Sequence, residues 1–407
     1  MANVLGQRTT YQADTETRIV RQVNDEIGLL EPNVAPLVTF LMRLKKRIPA
    51  KSPRWEWFED DYVARWAANS AAAVANNTNS TTVTVTDGTL FVAGDLFVVP
   101  KDITVAGVNA GAPEVVRVVS VNAATGVLTV IRDVGGAGVD TIAADAPLRL
   151  IGNAYEEGGA IPTAKTTAPS KKTTFLQIFR TTCEFSKTAI ATQVYGAPNG
   201  DRAREHKKKL SEHKILLNSA LLFGRASESM AGGPTGKPIR TTQGLLSAVT
   251  SNVTDAQGTL TRKAFEAFSR QSFRYGTGTK LLLAAPIVKS AINEWAREFL
   301  MVKPGETKYG VKIQQVETAH GTWLLVNDWM LESSGNYGFG NMAFSVDVDQ
   351  LRYLFLNNNG ENRDTKITED KVQDGADKIV DEILTEGGFA VMQEKYHARL
   401  WNVTDYQ

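Results

Sequence analysis

The chain has 407 residues, in which 45 Lys and Arg residues balance 44 Asp and Glu residues to give a formal net charge of +1. This balance excludes a nucleic-acid binder that depends on overall positive charge, and an apolar content of 43% excludes a disordered chain. The single cysteine, Cys183, excludes an intrachain disulfide framework and a cysteine-rich zinc site. We expect two or three domains, without a signal peptide or a membrane span.

Residues 1–53 have the composition of an extended arm. Prolines restrict each preceding residue to extended geometry; they are Pro32, Pro36, Pro49 and Pro53. Only 37–48 is predicted to form more than a turn or two of helix. Such an arm cannot enclose a core of its own, so we expect it to become ordered by lying on another surface.

Residues 76–152 are predicted to form an inserted all-β domain. Residues 82–86 alternate Thr and Val, which indicates a half-buried strand, and Asp87-Gly88 follows as a turn signal. Further strands are predicted at 96–99, 115–121, 127–132 and 148–151. Several short strands in so short a region favour a small barrel or sandwich.

Two strands that flank this domain are predicted to form a long two-stranded excursion. Residues 54–66 mix aromatic and acidic side chains, and 173–185 is rich in β-branched and aromatic residues. The polar segment 156–172 precedes the second strand. A lone hairpin is at best marginally stable in water, so this excursion needs a neighbouring surface.

Residues 199–225 give the strongest helix prediction. Its apolar stripe has helical spacing and consists of His206, Leu210, His213, Leu217, Ala220, Leu221 and Gly224. The other faces carry cations, which are Arg202, Arg204, Lys207, Lys208, Lys209 and Lys214. Two interpretations of this basic side stay open: a solvated helix surface, or a surface that contacts phosphates without reading nucleotide sequence.

An alternation of helices and strands begins at residue 261. Helices are predicted at 261–275 and from Pro286 to about residue 300, where proline suits a first helical turn. Strands are predicted at 281–284, 312–317, 322–326, 344–356, 378–384 and 389–401. We expect Gly387-Gly388 to join the last two strands as a hairpin.

No motif predicts an active site, a cofactor site or a metal site. The loop 232–238 lacks the first glycine of a phosphate-binding loop, and Pro238 stands where a Ser or Thr would hold magnesium. Histidines, Cys183 and paired acids are interpreted as packing, capping or solvated groups. The acidic pairs are Asp60-Asp61, Glu156-Glu157 and Asp347 with Asp349, and the histidines are His206, His213, His320 and His397. We therefore expect a protein that is not an enzyme and needs no cofactor.

The order of these parts resembles the major capsid proteins of tailed bacteriophages with the HK97-type fold, and in particular the SU10-like major capsid family. Several weak motifs carry the resemblance: Glu31-Pro32-Asn33-Val34-Ala35-Pro36-Leu37, Trp55-Glu56-Trp57, Leu281-Leu282-Leu283-Ala284-Ala285-Pro286, and the segment from Gly387 to Arg399. The resemblance implies an α+β HK97-like capsid fold with an inserted small all-β domain. It covers most of the chain apart from 76–152.

The resemblance also implies a domain map. It consists of an N-terminal arm at 1–53, an extended loop at 54–192 interrupted by the inserted domain at 76–152, a spine helix with peripheral domain at 193–240, an axial domain at 241–344, and returning strands of the peripheral domain at 345–407. The spine helix of such capsids faces the interior. Arg202, Arg204, Lys207 and Lys208 are therefore the candidate DNA-facing residues, and Ile161, Lys165, Lys171 and Lys172 are the candidate inter-subunit contacts of the extended loop.

The implied function is that of a virion shell protein assembled in the bacterial cytoplasm. Its partners are other copies of itself in pentamers and hexamers of an icosahedral shell, a separate scaffolding protein, a portal, a decoration protein and non-specifically packaged double-stranded DNA, with no membrane. We expect mature shells to keep residues 2–50. An isopeptide crosslink from Lys165, Lys171 or Lys172 to one of Asn357, Asn358 and Asn359 lacks a defined acid catalyst.

Two other functions are compatible with the composition. One is a phage tail, baseplate or decoration protein whose β domain at 76–152 binds a polysaccharide or a virion protein. The other is a β-rich hydrolase. Sedimentation separates the three hypotheses, because only the shell protein predicts particles of very high mass.

Overall fold

The computed structural model describes two compact units of the chain, Met1–Trp57 with Lys172–Gln407, and Phe58–Lys171. The described residues are 36–43, 46–70, 73–75, 77–79, 81–99, 113–136, 138–139, 141–159, 161–192, 200–230, 232–299, 302–308, 311–333, 340–371 and 377–407. Most of the predicted arm, residues 1–35, lies outside them. No helix in these ranges combines the length and the apolar content needed to cross a membrane.

The described ranges contain six α-helices. In chain order, α1–α6 are Pro36–Arg43, Lys187–Ala191, Asp201–Phe223, Leu245–Ala248, Arg262–Ser272 and Pro286–Phe299. The helices predicted at 199–225, at 261–275 and from Pro286 are confirmed as α3, α5 and α6. The side chain of Thr261 begins α5 by accepting a hydrogen bond from the Ala264 N–H at 3.2 Å.

The larger unit is built on two sheets. One contains β1 (Arg47–Ala50), β10 (Gln177–Ser186), β19 (Leu351–Asn358), β20 (Glu361–Asn362), β21 (Lys366–Lys371) and β22 (Lys378–Val391), with the central order β1-β19-β22-β10. The other has the order β13-β23-β18-β14-β17-β16-β15. Its strands are β13 (Val253–Leu260), β14 (Thr279–Ala284), β15 (Val302–Lys308), β16 (Val311–Thr318), β17 (Gly321–Asn327), β18 (Ala343–Val346) and β23 (Ala398–Tyr406).

One hydrophobic core joins these sheets to the helices. The fully buried Trp323 on β17 lies 5.2 Å from Phe265 and 5.5 Å from Phe268, measured between ring centroids, and both phenylalanines come from α5. Its indole N–H donates to the Ser345 hydroxyl at 3.0 Å, so its polar edge is satisfied inside the core. A short antiparallel hairpin of β11 (Ser227–Ser229) and β12 (Ile239–Thr241) flanks the loop 232–238.

The hairpin predicted at Gly387-Gly388 is wrong. Both glycines lie inside β22, which continues through them and pairs with β19 and β10. A Cβ atom at Gly388 would lie 2.8 Å from the carbonyl oxygen of Phe175, and one at Gly387 would lie 2.9 Å from the hydroxyl of Tyr353. Glycine is needed here for close approach of neighbouring groups, not for a turn.

Two further strand predictions are corrected by the observed strand bounds. The single strand predicted at 344–356 is split between β18 and β19, because Asp347 accepts from the Asp349 N–H at 3.0 Å and caps a 3₁₀ turn. The strand predicted at 173–185 is split at Leu176 into β9 (Ser170–Phe175) and β10. β9 pairs with β2 (Arg54–Glu59), which confirms the pairing of the two flanking segments, whereas β10 joins the sheet of β22.

The smaller unit contains a six-stranded antiparallel sheet with the order β3-β8-β5-β6-β7-β4. Its strands are β3 (Trp66–Ala68), β4 (Thr82–Thr84), β5 (Asp95–Val98), β6 (Val115–Asn122), β7 (Val127–Ile131) and β8 (Pro147–Asn153). Hydrogen bonds from Ser70 N–H to Thr84 O and from Thr86 N–H to Ala68 O, both 2.9 Å, close it into a barrel. A separate apolar core fills the barrel. The short strands predicted within 76–152 are therefore confirmed. The sheet also contains β3, which precedes residue 76.

Candidate assembly surfaces

Helix α3 is fixed along its apolar side by the core of the larger unit. Leu217, Leu221 and Leu222 are buried together with Leu37 and Leu41 of α1. Next to them, the buried Asn218 accepts a hydrogen bond from the Val38 N–H at 3.3 Å. The predicted stripe is confirmed at Leu217 and Leu221, and helix α1 covers it.

The middle of α3 is bonded to both β10 and β22 by a buried histidine. One ring nitrogen of His213 lies 2.8 Å from the Thr181 hydroxyl, and the other lies 2.8 Å from the Thr385 hydroxyl. Burial lowers the pKa of His213 below its usual value, because the charged form of the ring would lose its hydration. The packing role predicted for this residue is confirmed.

The N-terminal turn of α3 is held by an acid of β22. Arg202 donates from Nε and Nη2 to the two oxygens of Asp381, each at 2.7 Å, and His206 Nε2 lies 2.6 Å from Oδ2 of the same carboxylate. Burial favours the protonated form of Asp381, but the hydrogen bonds from Arg202, Asp370 N–H and His206 outweigh it and lower the pKa to about 2. Arg202 therefore faces the sheet, with 27% of its side chain exposed.

The other predicted DNA-facing residues lie further round the helix. Arg204 pairs with Asp201 at 2.9 Å, and Lys208 lies 3.7 Å from Glu205. Lys207 of the same helix is exposed to solvent. The four side chains therefore differ in exposure and in surroundings, and they do not form one uniform patch.

Other acids of β22 are covered by cations from different elements. Glu382 pairs with Arg180 of β10 and with Lys371 of β21, and the hydrogen bond from Arg180 is the largest cause of its lowered pKa. Glu386 pairs with Arg363 at 2.5 Å. These partners are distant in sequence, and no local motif marks them, so sequence reasoning missed the network.

The ribbon of β2 and β9 packs on the larger unit through two tryptophans. Trp55 and Trp57 are half-buried against a small cluster that contains Leu176 and Leu354. Beyond this anchor, Phe58 is 72% exposed and Tyr62 is 100% exposed. The sequence pattern placed both aromatics in a half-exposed strand at 54–66, but it did not mark them as contact residues. The ribbon thus presents large apolar side chains to solvent.

The candidate contact residues of the extended loop have different surroundings. Ile161 is 96% exposed, and Lys171 and Lys172 are exposed at the start of β9. Lys165 instead forms an ion pair with the buried Asp95 of β5, within the smaller unit. Lys165 therefore ties its segment to the barrel.

The polar clusters of the described ranges do not include a metal-binding arrangement of three or more His, Cys, Asp or Glu side chains. His206 and His320 each face a single carboxylate, with His320 Nε2 3.0 Å from Glu266. Cys183 is buried in β10 as a free thiol.

A comparison with protein families decides between the functions that the sequence left open. The model of the SU10 major capsid protein family matches residues 3–404. The chain belongs to this family. Its membership confirms the predicted family and the prediction of a tailed-phage major capsid protein, and the mixed helices and strands confirm the predicted α+β class.

The chain is also similar to individual proteins. The chain is 35% identical over 123 residues to the major capsid protein of Pseudomonas phage PaMx41, and this match covers 30% of the chain and 28% of the relative's length. Among solved structures, the capsid of a native GTA particle overlaps with a TM-score of 0.47 at 8% identity, over 98% of this chain and 100% of that chain. A chain from Mycobacterium phage Bobi overlaps with a TM-score of 0.47 at 9% identity, over 97% and 99% of the respective chains.

Proposed function

We propose that the chain self-assembles into pentamers and hexamers of an icosahedral shell, which encloses double-stranded DNA in the virion of a tailed phage. Its role is structural and not enzymatic. Family membership supports this proposal, and so does the ribbon of β2 and β9, which carries its apolar side chains out into solvent. Extended elements without a core of their own require partner surfaces, and neighbouring copies supply them.

The observation that carries the proposal is the exposure of Ile161 and of the aromatic end of the ribbon. Large apolar side chains at this exposure are the groups that assembly buries at the greatest gain in free energy. Ile161, Lys171 and Lys172 form the contact surface, and Lys165 orients the segment through Asp95. The domain map 1–53, 54–192, 76–152, 193–240, 241–344 and 345–407 is part of this proposal.

The partners of the proposed shell follow from its role. A separate scaffolding protein guides assembly in the host cytoplasm, and a portal and a decoration protein join the shell. The crosslink of Lys165 is not part of the proposal, because Asp95 engages its ammonium group.

Helix α3 is proposed to face the packaged DNA. The exposed Lys207 contacts phosphates, while Arg202, Arg204 and Lys208 add positive potential near the helix start. Such contacts neutralise charge and do not read nucleotide sequence.

Assembly is tested with the full chain and the variant Ile161→Asp. In sedimentation velocity, wild type and the matched control Ile161→Leu are expected to form particles of very high mass. Ile161→Asp should leave most chains as free subunits, because a carboxylate cannot be buried in an apolar contact without a partner. Normal shell formation by Ile161→Asp would contradict the proposed contact, and a wild type that stays a monomer would contradict the function.

The DNA contact is tested in assembled shells with Lys207→Glu. The expected result is that DNA-filled particles become less stable to heat than those of the control Lys207→Arg, while empty shells of both variants have equal stability. Equal stability of the filled particles would contradict the assignment of Lys207.

A further inference from the structure

The outer surface of the barrel carries an apolar face that the rest of the smaller unit leaves uncovered. Small barrels bury one side of each strand in the core and normally expose polar residues on the other. Here four large apolar side chains on the outside are each about half exposed: Trp66 51%, Val119 47%, Ile131 49% and Ile151 47%. An exposed apolar face of this kind marks an interaction surface.

The strand register makes these residues one continuous face. Trp66 of β3 is opposite Arg149 of β8, which is opposite Val98 of β5. Leu96 of β5 is in turn opposite Arg117 of β6, and Arg117 is opposite Ile131 of β7. The face therefore crosses five neighbouring strands, a width of about 20 Å at a strand spacing of about 4.8 Å.

The charged side chains that the barrel strands contribute to this face are arginines. Among the residues of β3–β8, the charged ones are Asp95, Arg117 and Arg149, and Asp95 is buried and paired with Lys165. The guanidinium of Arg149 lies 5.5 Å from the ring centroid of Trp66. The Nε atom of Arg117 is buried and has no hydrogen-bond partner among the described residues.

A segment with the complementary chemistry lies in the same unit. Residues 58–62, Phe58-Glu59-Asp60-Asp61-Tyr62, alternate acids with aromatics, and Tyr62 is completely exposed. Because both this segment and the barrel face are exposed in one chain, the segment does not cover the face of its own copy. A second copy can supply it, and in a shell of identical subunits one such segment is present for every barrel.

We propose that the outer barrel face, formed by Trp66, Leu96, Arg117, Val119, Ile131, Arg149 and Ile151, binds the acidic and aromatic segment 58–62 of a neighbouring copy. Carboxylates of the segment pair with Arg149 and Arg117, while Phe58 and Tyr62 cover the apolar side chains. This inference rests on the proposed self-assembly. It gives the inserted domain a role as an inter-subunit joint.

The first test is site-specific crosslinking between copies. Full-length Tyr62→Cys and Ile151→Cys chains are assembled together and mildly oxidised, and disulfide-linked peptides are identified by mass spectrometry. Cys183 is buried, so the introduced thiols are the accessible ones among the described residues. We expect a peptide containing position 62 linked to one containing position 151. Thr82→Cys, on the exposed side of β4 outside the face, replaces Ile151→Cys as the control and should give at least about tenfold less product.

The second test exchanges charges across the contact. Arg149→Glu should lower the fraction of chain in shells by about tenfold relative to the control Arg225→Glu, because like charges would then face each other. Asp60→Arg with Asp61→Arg in the same chain should restore assembly. Shells that form without the specific crosslink, or Arg149→Glu shells as abundant as those of Arg225→Glu, would overturn this inference alone. A wild type that forms no shells would overturn the proposed function and the inference with it.

Discussion

The barrel and the sheet around β22 bury charge in different ways. In the barrel, Arg132 and Glu114 are both 0% exposed and form a two-pronged pair, with Nε–Oε1 at 2.5 Å and Nη2–Oε2 at 2.6 Å. In the sheet, Asp381 and Glu382 are buried, but their cations come from other elements and remain partly exposed. The barrel pair is sealed within one domain, whereas the β22 network depends on α3 and β21 staying docked.

This contrast assigns different roles to similar interactions. A fully buried ion pair contributes little net stability, because the desolvation of both charges offsets their attraction. Removing one partner is costly, because the other charge then stays buried without it. The partly exposed network couples the position of α3 to the protonation of Asp381 and Glu382 on β22. We therefore expect mutation of the buried pair to destabilise the barrel, and low pH to destabilise the larger unit.

Breaking the sealed pair should have the largest effect. Arg132→Met leaves Glu114 buried without its partner and should lower the free energy of unfolding of the barrel by about 3–5 kcal/mol. The measurement is hydrogen exchange of β6 and β7 in the unassembled chain at increasing denaturant. Arg132→Met with Glu114→Leu should recover most of the loss, and a single variant as stable as wild type would contradict the buried-pair account.

The next effect should come from His397 in the larger unit. It is fully buried, and burial, the largest cause, lowers its pKa to about 4 from an ordinary 6.5. The unfolded chain then binds a proton at a pH where the folded chain does not. Stability should fall by up to about 3 kcal/mol as the pH drops from 6.5 to 4. Denaturant titrations of wild type and His397→Gln measure this, and the variant should show a flatter profile.

The β22 network should lose stability in a lower pH window. The ordinary pKa of Asp381 is 3.8, and its folded pKa is about 2. Its contribution is therefore complete above pH 4 and is lost as the pH falls to 2, with a magnitude of about 2 kcal/mol. Asp381→Asn should remove this dependence below pH 4 and leave the His397 window unchanged. A variant with the acid profile of wild type would contradict the role of the Arg202 and His206 contacts.

The smallest effect should come from the exposed lysines of α3. Lys207→Ala with Lys214→Ala changes exposed side chains away from the sheet and should alter the free energy of unfolding by less than about 0.5 kcal/mol. Denaturant unfolding of the unassembled chain checks this. A loss comparable to that of Asp381→Asn would show that the two sides of α3 do not differ as described.

Sequence patterns predicted the elements whose signals are local. Helix α3 was predicted because its apolar residues repeat with helical spacing, and the barrel strands were predicted because Thr and Val alternate at 82–86. Pro286 correctly marked the start of α6. These features depend on neighbours along the chain.

Features that depend on distant contacts were missed or misread. Gly387-Gly388 has the composition of a turn, and only the approach of Phe175 and Tyr353 shows why glycine is required inside a strand. The contact of Arg202 with Asp381 was missed, because the two residues are far apart in sequence. The candidate assembly residues were predicted in part: Ile161 was named, but the exposure of Phe58 and Tyr62 follows from where the ribbon's anchor ends.

The measurement that tests the central claim most directly is cryo-electron microscopy of particles formed by the full chain. The account predicts closed icosahedral shells in which the ribbon of β2 and β9, and with it Phe58, Tyr62 and Ile161, is covered by neighbouring subunits. A chain that remains a solitary monomer at high concentration, or shells in which these side chains face solvent, would contradict it.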